Sequence, residues 1–124
     1  MVCYGIRGAI DVPQNGTEEI LSATRTLLER MVAENAICAD DVASVIFSAT
    51  ADLDAVHPAR AAREMGWTDT PLFCVQEMDV RSALPRCVRV LMHVNGDGAP
   101  NDVRHVYLGA AKSLRPDLAE EDAT

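Results

Sequence analysis

The chain opens on a strict alternation. Val2, Tyr4, Ile6, Ile10 and Val12 fall on one side of an extended segment, and Cys3, Gly5, Arg7, Ala9 and Asp11 on the other. This is the period-two pattern of a half-buried strand over 2–12. Pro13-Gln14-Asn15-Gly16 breaks it, and the spacing then changes. Ile20, Leu21, Thr24, Leu27, Leu28, Met31 and Val32 form one apolar stripe on a helix reaching about Asn35. Asn15 or Thr17 is the expected cap, and Glu18 and Glu19 suit the positive end of the helix dipole.

Asp40 and Asp41 open a short helical turn before a buried strand over 43–49. After a loop at 50–54, Pro58 fits the first position of a short helix running to about Met65, which Gly66 stops. Strands follow at 72–76 and 87–94. In the latter, Val88, Val90, Met92 and Val94 alternate with Cys87, Arg89, Leu91 and His93. Asn95-Gly96-Asp97-Gly98 signals a reversal, followed by a strand at 104–108 and a brief helical stretch at 110–114. The order predicts an α+β fold, α/β-like in its mixed sheet, with one long and several short helices. So few helices leave a sheet face uncovered, which predicts an oligomer.

The length, 124 residues, is that of one domain. It is expected to span 1–118, with 119–124 as an acidic, mobile tail. Hydrophobic residues make up 48% of the chain but aromatics only 4%, so the core must be aliphatic. The net charge of −8 argues against nucleic acid, whose readers need surplus positive charge, and against an anionic membrane surface. No apolar run approaches the ~20 residues of a membrane span, and no leader is visible at Met1–Gly5. The cysteines at 3, 38, 74 and 87 form no Cys-x-x-Cys pair. Reduced thiols and a cytoplasmic location are the expectation.

Ten of the eleven basic residues are Arg, with Lys112 the exception, so the chain carries many rigid forks suited to carboxylates. Arg7, Arg89 and Tyr107 (beside His105) stand on strands of one small sheet. An Arg on such a strand is most often solvent-facing or paired with an acid, yet three short strands would bring these groups together. Arg60 and Arg63 share a helix face in His57-Pro58-Ala59-Arg60-Ala61-Ala62-Arg63, and pairing with nearby acids is an equal alternative. Glu77 follows the strand ending Cys74-Val75-Gln76. The three His residues lack metal-like spacing, no glycine-rich phosphate loop is present, and nothing local activates Cys74. Arginines with one carboxylate and one phenol suit binding a small polyanion.

Several segments carry a resemblance: Gly5-Ile-Arg-Gly-Ala9, Ser48-Ala-Thr-Ala-Asp-Leu53 with His57-Pro-Ala-Arg60, Cys74-Val-Gln-Glu-Met-Asp79, Cys87-Val-Arg-Val90, Arg104-His-Val-Tyr-Leu108 and Leu114-Arg-Pro-Asp-Leu118. In this order, over residues 3 to about 118, the chain resembles the monofunctional, trimeric chorismate mutases of the AroH type. The resemblance implies a trimer forming a pseudo-α/β barrel, active sites at subunit interfaces, and rearrangement of chorismate to prephenate in Phe and Tyr biosynthesis. It implies neither cofactor nor metal. It further implies that Arg7 and Tyr107 hold a carboxylate, that Arg89 donates to a carboxylate and the ether oxygen, and that Glu77 with the Cys74 backbone meets the ring hydroxyl. Arg63 would come from the neighbouring subunit and Arg115 from the C-terminal segment. His57 and Arg60 would line the rim, with Ala59, Phe73 and Leu114 completing the substrate-binding set. Two departures fall at that rim: His57 stands where an aromatic is familiar, and Arg60 where Lys is. The rival readings are a non-catalytic regulatory trimer that binds a small dianion and a trimeric scaffold whose arginines form interfacial salt bridges.

Overall fold

Alternation along the first strand decides which face of the sheet is covered. Ile6 is fully buried and Arg7 exposed, and the computed structural model, which describes residues 2–97 and 102–117, builds outward from that strand. β1 (Val2–Asp11) is followed by α1 (Thr17–Asn35), a 3-10 turn (Ala39–Asp41) and β2 (Val42–Ala49). Then come α2 (Ala59–Glu64), β3 (Leu72–Gln76), β4 (Cys87–Gly96), β5 (Val106–Leu108) and a 3-10 helix (Gly109–Ser113). The strands form one mixed sheet in the order β3-β2-β4-β1-β5. β4 runs antiparallel to both neighbours, whereas β3 lies parallel to β2 and β5 parallel to β1. The α+β expectation holds.

α1 lies across β1, and α2 packs on α1 and β3. Ile20, Leu27, Leu28 and Met31 meet Ile6, Val45, Phe47, Val88 and Met92, all with no exposed surface. Each such side chain contributes about 1.5–3 kcal/mol on leaving water. The aliphatic stripe is the core. The opposite sheet face carries Arg7, Leu91, Arg89, Ile46, Phe73 and Val75, and helices leave most of it open.

Three expectations are corrected and one is refined. Neither Asn15 nor Thr17 caps α1: Gly16 holds that position without a side-chain bond. Asn15 instead accepts the N–H groups of Asp54 and Ala55, tying the helix entry to the loop before α2. β2 is half-buried, since a bulge between Val42 and Ser44 turns Ser44, Ile46 and Ser48 onto the open face. The reversal signalled at Asn95-Gly96 holds, since β5 runs antiparallel to β4, although both residues still belong to β4 and β1 lies between the two strands. β5 starts at Val106 rather than 104, because Arg104 bonds through its backbone N–H and C=O to the Asn35 side chain. Gly98 and residues 118–124, including the predicted tail, lie outside the described residues.

Gly8 lets α1 settle on β1. A Cβ there would come within 2.5 Å of the Met31 sulfur and 3.1 Å of a Leu27 methyl, both on fully buried side chains. Gly8→Ala should therefore destabilise the fold by about 1–3 kcal/mol through overpacking. Urea unfolding at matched chain concentration measures it, and an unchanged midpoint would mean the helix has room to retreat.

Candidate active site

Strand register places four residues in one row across the open face. Ser48 pairs with Arg89, Arg89 with Ala9, and Ala9 with Tyr107. Ala9 is too small to fill the space between its neighbours, and Arg7 stands two residues before it on the same face. The result is a trough of about 220 Å³ lined by Arg7, Ile46, Ser48, Arg89, Leu91 and Tyr107.

Local hydrogen bonds hold each element of this row. The start of β4 is pinned by Asp52, whose two carboxylate oxygens accept the Arg86 N–H, and by Thr50 Oγ1, which accepts the Cys87 N–H. Glu77, just beyond β3, donates its N–H to the Ala49 carbonyl at 2.9 Å. Its Oε1 accepts the Ser48 hydroxyl at 2.7 Å and lies 3.8 Å from Arg89 Nε. After β5, Gly109 (φ +60°) takes a left-handed turn, and the Ala110 N–H bonds to Asp11 Oδ1 at 2.9 Å. This 3-10 segment closes a small second core of Ala9, Cys87, Tyr107 and Ala111, so Tyr107 is buried. Burial pushes the Cys87 thiol up to about 11, which leaves it protonated and unreactive at neutral pH.

Leu114 packs beside that second core and lines a cavity of about 190 Å³ with Glu77, Leu84, Cys87 and Arg89. Arg115 is turned toward Asp117, with bonds of 3.1 and 2.8 Å to its carboxylate. The hydrogen bond and charge of Asp117 raise the Arg115 pKa, and Arg115 lowers that of Asp117.

The second predicted set lies apart. Arg60 and Arg63 are exposed on α2, where Arg60 pairs with Glu64 at 3.2 Å. The Ala59 side chain is buried in the main core. The Cys74 side chain points to the covered face, while Phe73 stands 65% exposed on the open one. His57 and Cys74 line a separate groove of about 440 Å³ with Val56, Pro58 and Gln76. Because β3 and β1 are three strands apart, Cys74 and Arg7 are separated by about 14 Å at ordinary strand spacing. One chain thus gathers Arg7, Glu77, Arg89 and Tyr107, with Leu114 and Arg115 nearby. Neither cavity of that group is lined by His57, Ala59, Arg60, Arg63 or Phe73, and Cys74, three residues before Glu77, turns its side chain to the covered face. Among the described residues no cluster of three or more His, Cys, Asp or Glu is placed to hold a metal ion.

Two residues of this site escape a reading of the sequence. Ser48 reaches Glu77 only through the bulge that sets its face. His105 accepts the Arg7 backbone N–H on Nδ1 at 2.9 Å, which requires that nitrogen to be unprotonated. Burial, then the charges of Arg7 and Arg115, lower the His105 pKa from its ordinary value. With the folded pKa below the unfolded value of about 6.5, the unfolded chain takes up the proton first. Stability is thus fully present above that value and is lost as pH falls from it toward the folded pKa. His105→Asn keeps an acceptor near the Nδ1 position but does not titrate. Its melting temperature should fall less between pH 7.5 and 5.5 than that of the wild type. Identical declines would show that His105 is not the sensitive group.

Comparison with known proteins identifies the family and the fold. The family model for chorismate mutase type I matches residues 3–118. The chain is 48% identical over 120 residues to chorismate mutase AroH of Bacillus subtilis, covering 96% of this chain and 94% of that one. It is 47% identical over 115 residues to chorismate mutase AroH of Thermus thermophilus, covering 92% and 94%. A solved chorismate mutase from Clostridium thermocellum superposes with a TM-score of 0.88 at 50% identity, over 90% of this chain and 99% of the other. A family match over nearly the whole length, with an arginine-lined trough on the open sheet face, places the chain in the chorismate mutase type I family.

Proposed function

We propose that this chain catalyses the pericyclic rearrangement of chorismate to prephenate, with Arg89 as the principal catalytic group, in a site shared between neighbouring copies. The observation that carries this reading is the position of Arg89. It stands mid-sheet between Ser48 and Ala9, in a trough that also holds Arg7 and Tyr107, with Glu77 at 3.8 Å. In the reaction the ether C–O bond breaks as a C–C bond forms, within one molecule. No proton is transferred, no covalent enzyme intermediate arises, and no redox change occurs.

The protein must therefore supply position and charge. Arg7 and Tyr107 hold one carboxylate, which helps fix the compact conformer in which the reacting carbons meet. Arg89 donates to a carboxylate and to the ether oxygen, where negative charge grows as the bond lengthens. Glu77 and the Cys74 backbone meet the ring hydroxyl. A millionfold acceleration requires roughly 8 kcal/mol. One charged donor at the breaking bond contributes about 3–4 kcal/mol, by analogy with loss of an oxyanion-hole donor, and positioning supplies the rest.

The placement of Arg60 and Arg63 on α2, which packs on α1 at the covered side of the sheet while Arg7 and Arg89 face the open side, supports a site completed by a second chain. So do the exposed apolar side chains of Phe73, Val75 and Leu91 on the open face, which a partner would cover. We infer a homotrimer in which Arg63, Arg60 and His57 of one copy face Arg89 of the next. Ala59, Phe73 and Leu114 form walls, and Arg115 exchanges Asp117 for the substrate. A cytoplasmic location fits four cysteines that all stand as free thiols.

Chorismate loss and prephenate gain, followed in one assay, test the reaction. Arg89→Ala should lower kcat by at least ~100-fold, because its donor acts on charge that develops in the transition state. Arg60→Ala, at an exposed rim, should mainly raise KM. A kcat for Arg89→Ala within a few-fold of wild type would reduce Arg89 to a substrate anchor.

The shared site has its own test. Arg63→Ala and Arg89→Ala chains, each inactive alone, should regain about a quarter of wild-type activity when refolded together in equal amounts, since random assembly gives about a quarter of all interfaces both arginines. A site within one chain would regain nothing.

A further inference from the structure

Glu77 and Arg89 bear opposite charges on either side of β2, yet the ion pair they form is a long one. Their separation, 3.8 Å from Oε1 to Nε, exceeds the ~2.7–2.9 Å of a charge-assisted hydrogen bond by about an ångström. The Glu77 oxygen nearest Arg89 is the one that accepts the Ser48 hydroxyl, at 2.7 Å, so that bond fixes where the carboxylate stands. Ser48 sits directly opposite Arg89 in the β2–β4 register, so its hydroxyl rises from the row that carries the guanidinium. The Glu77 backbone is separately fixed by its N–H bond to Ala49, the residue after Ser48. Glu77 thus hangs from β2 at two points.

We propose that Ser48 is a positioning residue for the rearrangement: its hydroxyl holds the Glu77 carboxylate off Arg89 and leaves the guanidinium donors to the substrate. The inference rests on the reading of Glu77 and Arg89 as site residues. An Arg neutralised by a contact carboxylate offers less field to an ether oxygen gaining charge. Such a loss appears in the transition state more than in the ground state, hence in kcat rather than KM. Methyl-bearing Thr keeps the hydroxyl at a half-buried strand position that favours β-branched residues.

Ser48→Ala should lower kcat about tenfold while KM stays within about threefold, and Ser48→Thr should recover most of the loss. In a Glu77→Ala background, where no carboxylate remains to be held, Ser48→Ala should have no further effect. The proposal is overturned by a loss confined to KM, by Ser48→Thr as impaired as Ser48→Ala, or by an undiminished effect of Ser48→Ala in the Glu77→Ala background. Arg89→Ala separates the two layers. If it retains kcat, the reading of Arg89 as the catalytic donor fails, and with it the premise on which Ser48 would act. If it is inactive while Ser48→Ala turns over like wild type, only the role of Ser48 fails.

Discussion

The register of β4 is the constraint on which the rest of the site depends. Val88 and Val90 are buried in the main core, and the pleat therefore forces Arg89 onto the opposite face. A slip of one residue would drive a permanent cation into an aliphatic core and expose two valines. That alternative is so costly that core burial itself aims the guanidinium. Because β4 is central and antiparallel to both neighbours, its register also sets those of β1 and β2, and with them Arg7 and Ser48. Hydrophobic burial on one face thus positions charge on the other, with no large element devoted to the site itself.

What the sequence revealed follows from the same physics. Arg7 and Arg89 were legible as open-face residues because β1 and β4 alternate cleanly. The stripe of α1 was legible because seven positions repeat at helical spacing. The interactions that escaped prediction join residues far apart in the chain. Asn15 bonds to Asp54 and Ala55, Asn35 to Arg104, and His105 to Arg7. A side chain that could cap a helix locally is indistinguishable in sequence from one that crosses to a distant loop, since both want an acceptor near free N–H groups. The bulge in β2 was illegible for a related reason. One extra residue inverts the faces before and after it, and the short segment 43–49 reads simply as apolar. Ser48 was hidden with it. Strand order was also beyond reach of local pattern: Asn95-Gly96 marks a change of direction, but β1 is inserted between the strands it appears to join.

The pairing of Glu77 with Arg89 shows why the site is built on the sheet rather than on loops. Both side chains are partly exposed, at 28% and 44%, so water screens their attraction in the free chain. Once a substrate excludes that water, the same charges interact far more strongly. An arrangement that stays open in water must then resist collapse when the dielectric falls. Backbone anchoring of Glu77 to β2 and of Arg86–Cys87 to the Thr50–Asp52 loop provides that resistance before the substrate arrives. Preorganisation of this kind is what lets fixed charge act on the transition state without further rearrangement.

A chain of net charge −8 that takes up a dianion poses a final physical question. Among the described residues no acid lines the trough: Glu18 and Glu19 open α1, Asp40 and Asp41 lie in the 3-10 turn, and Asp52 and Asp54 lie in the loop after β2. At physiological salt the Debye length is about 8 Å, so exposed charges beyond that distance contribute little to the potential inside the trough. Arg7 and Arg89 line the trough itself, where shorter distances and lower dielectric magnify their effect. The overall sign therefore governs solubility and distant repulsion, while local guanidinium geometry governs binding. It also gives rigid Arg forks an advantage over Lys. In a field that is repulsive at long range, recognition depends on bidentate contacts made only when a carboxylate is correctly placed. An acidic protein with a few fixed arginines on one sheet face selects its anion by shape rather than collecting anions by charge.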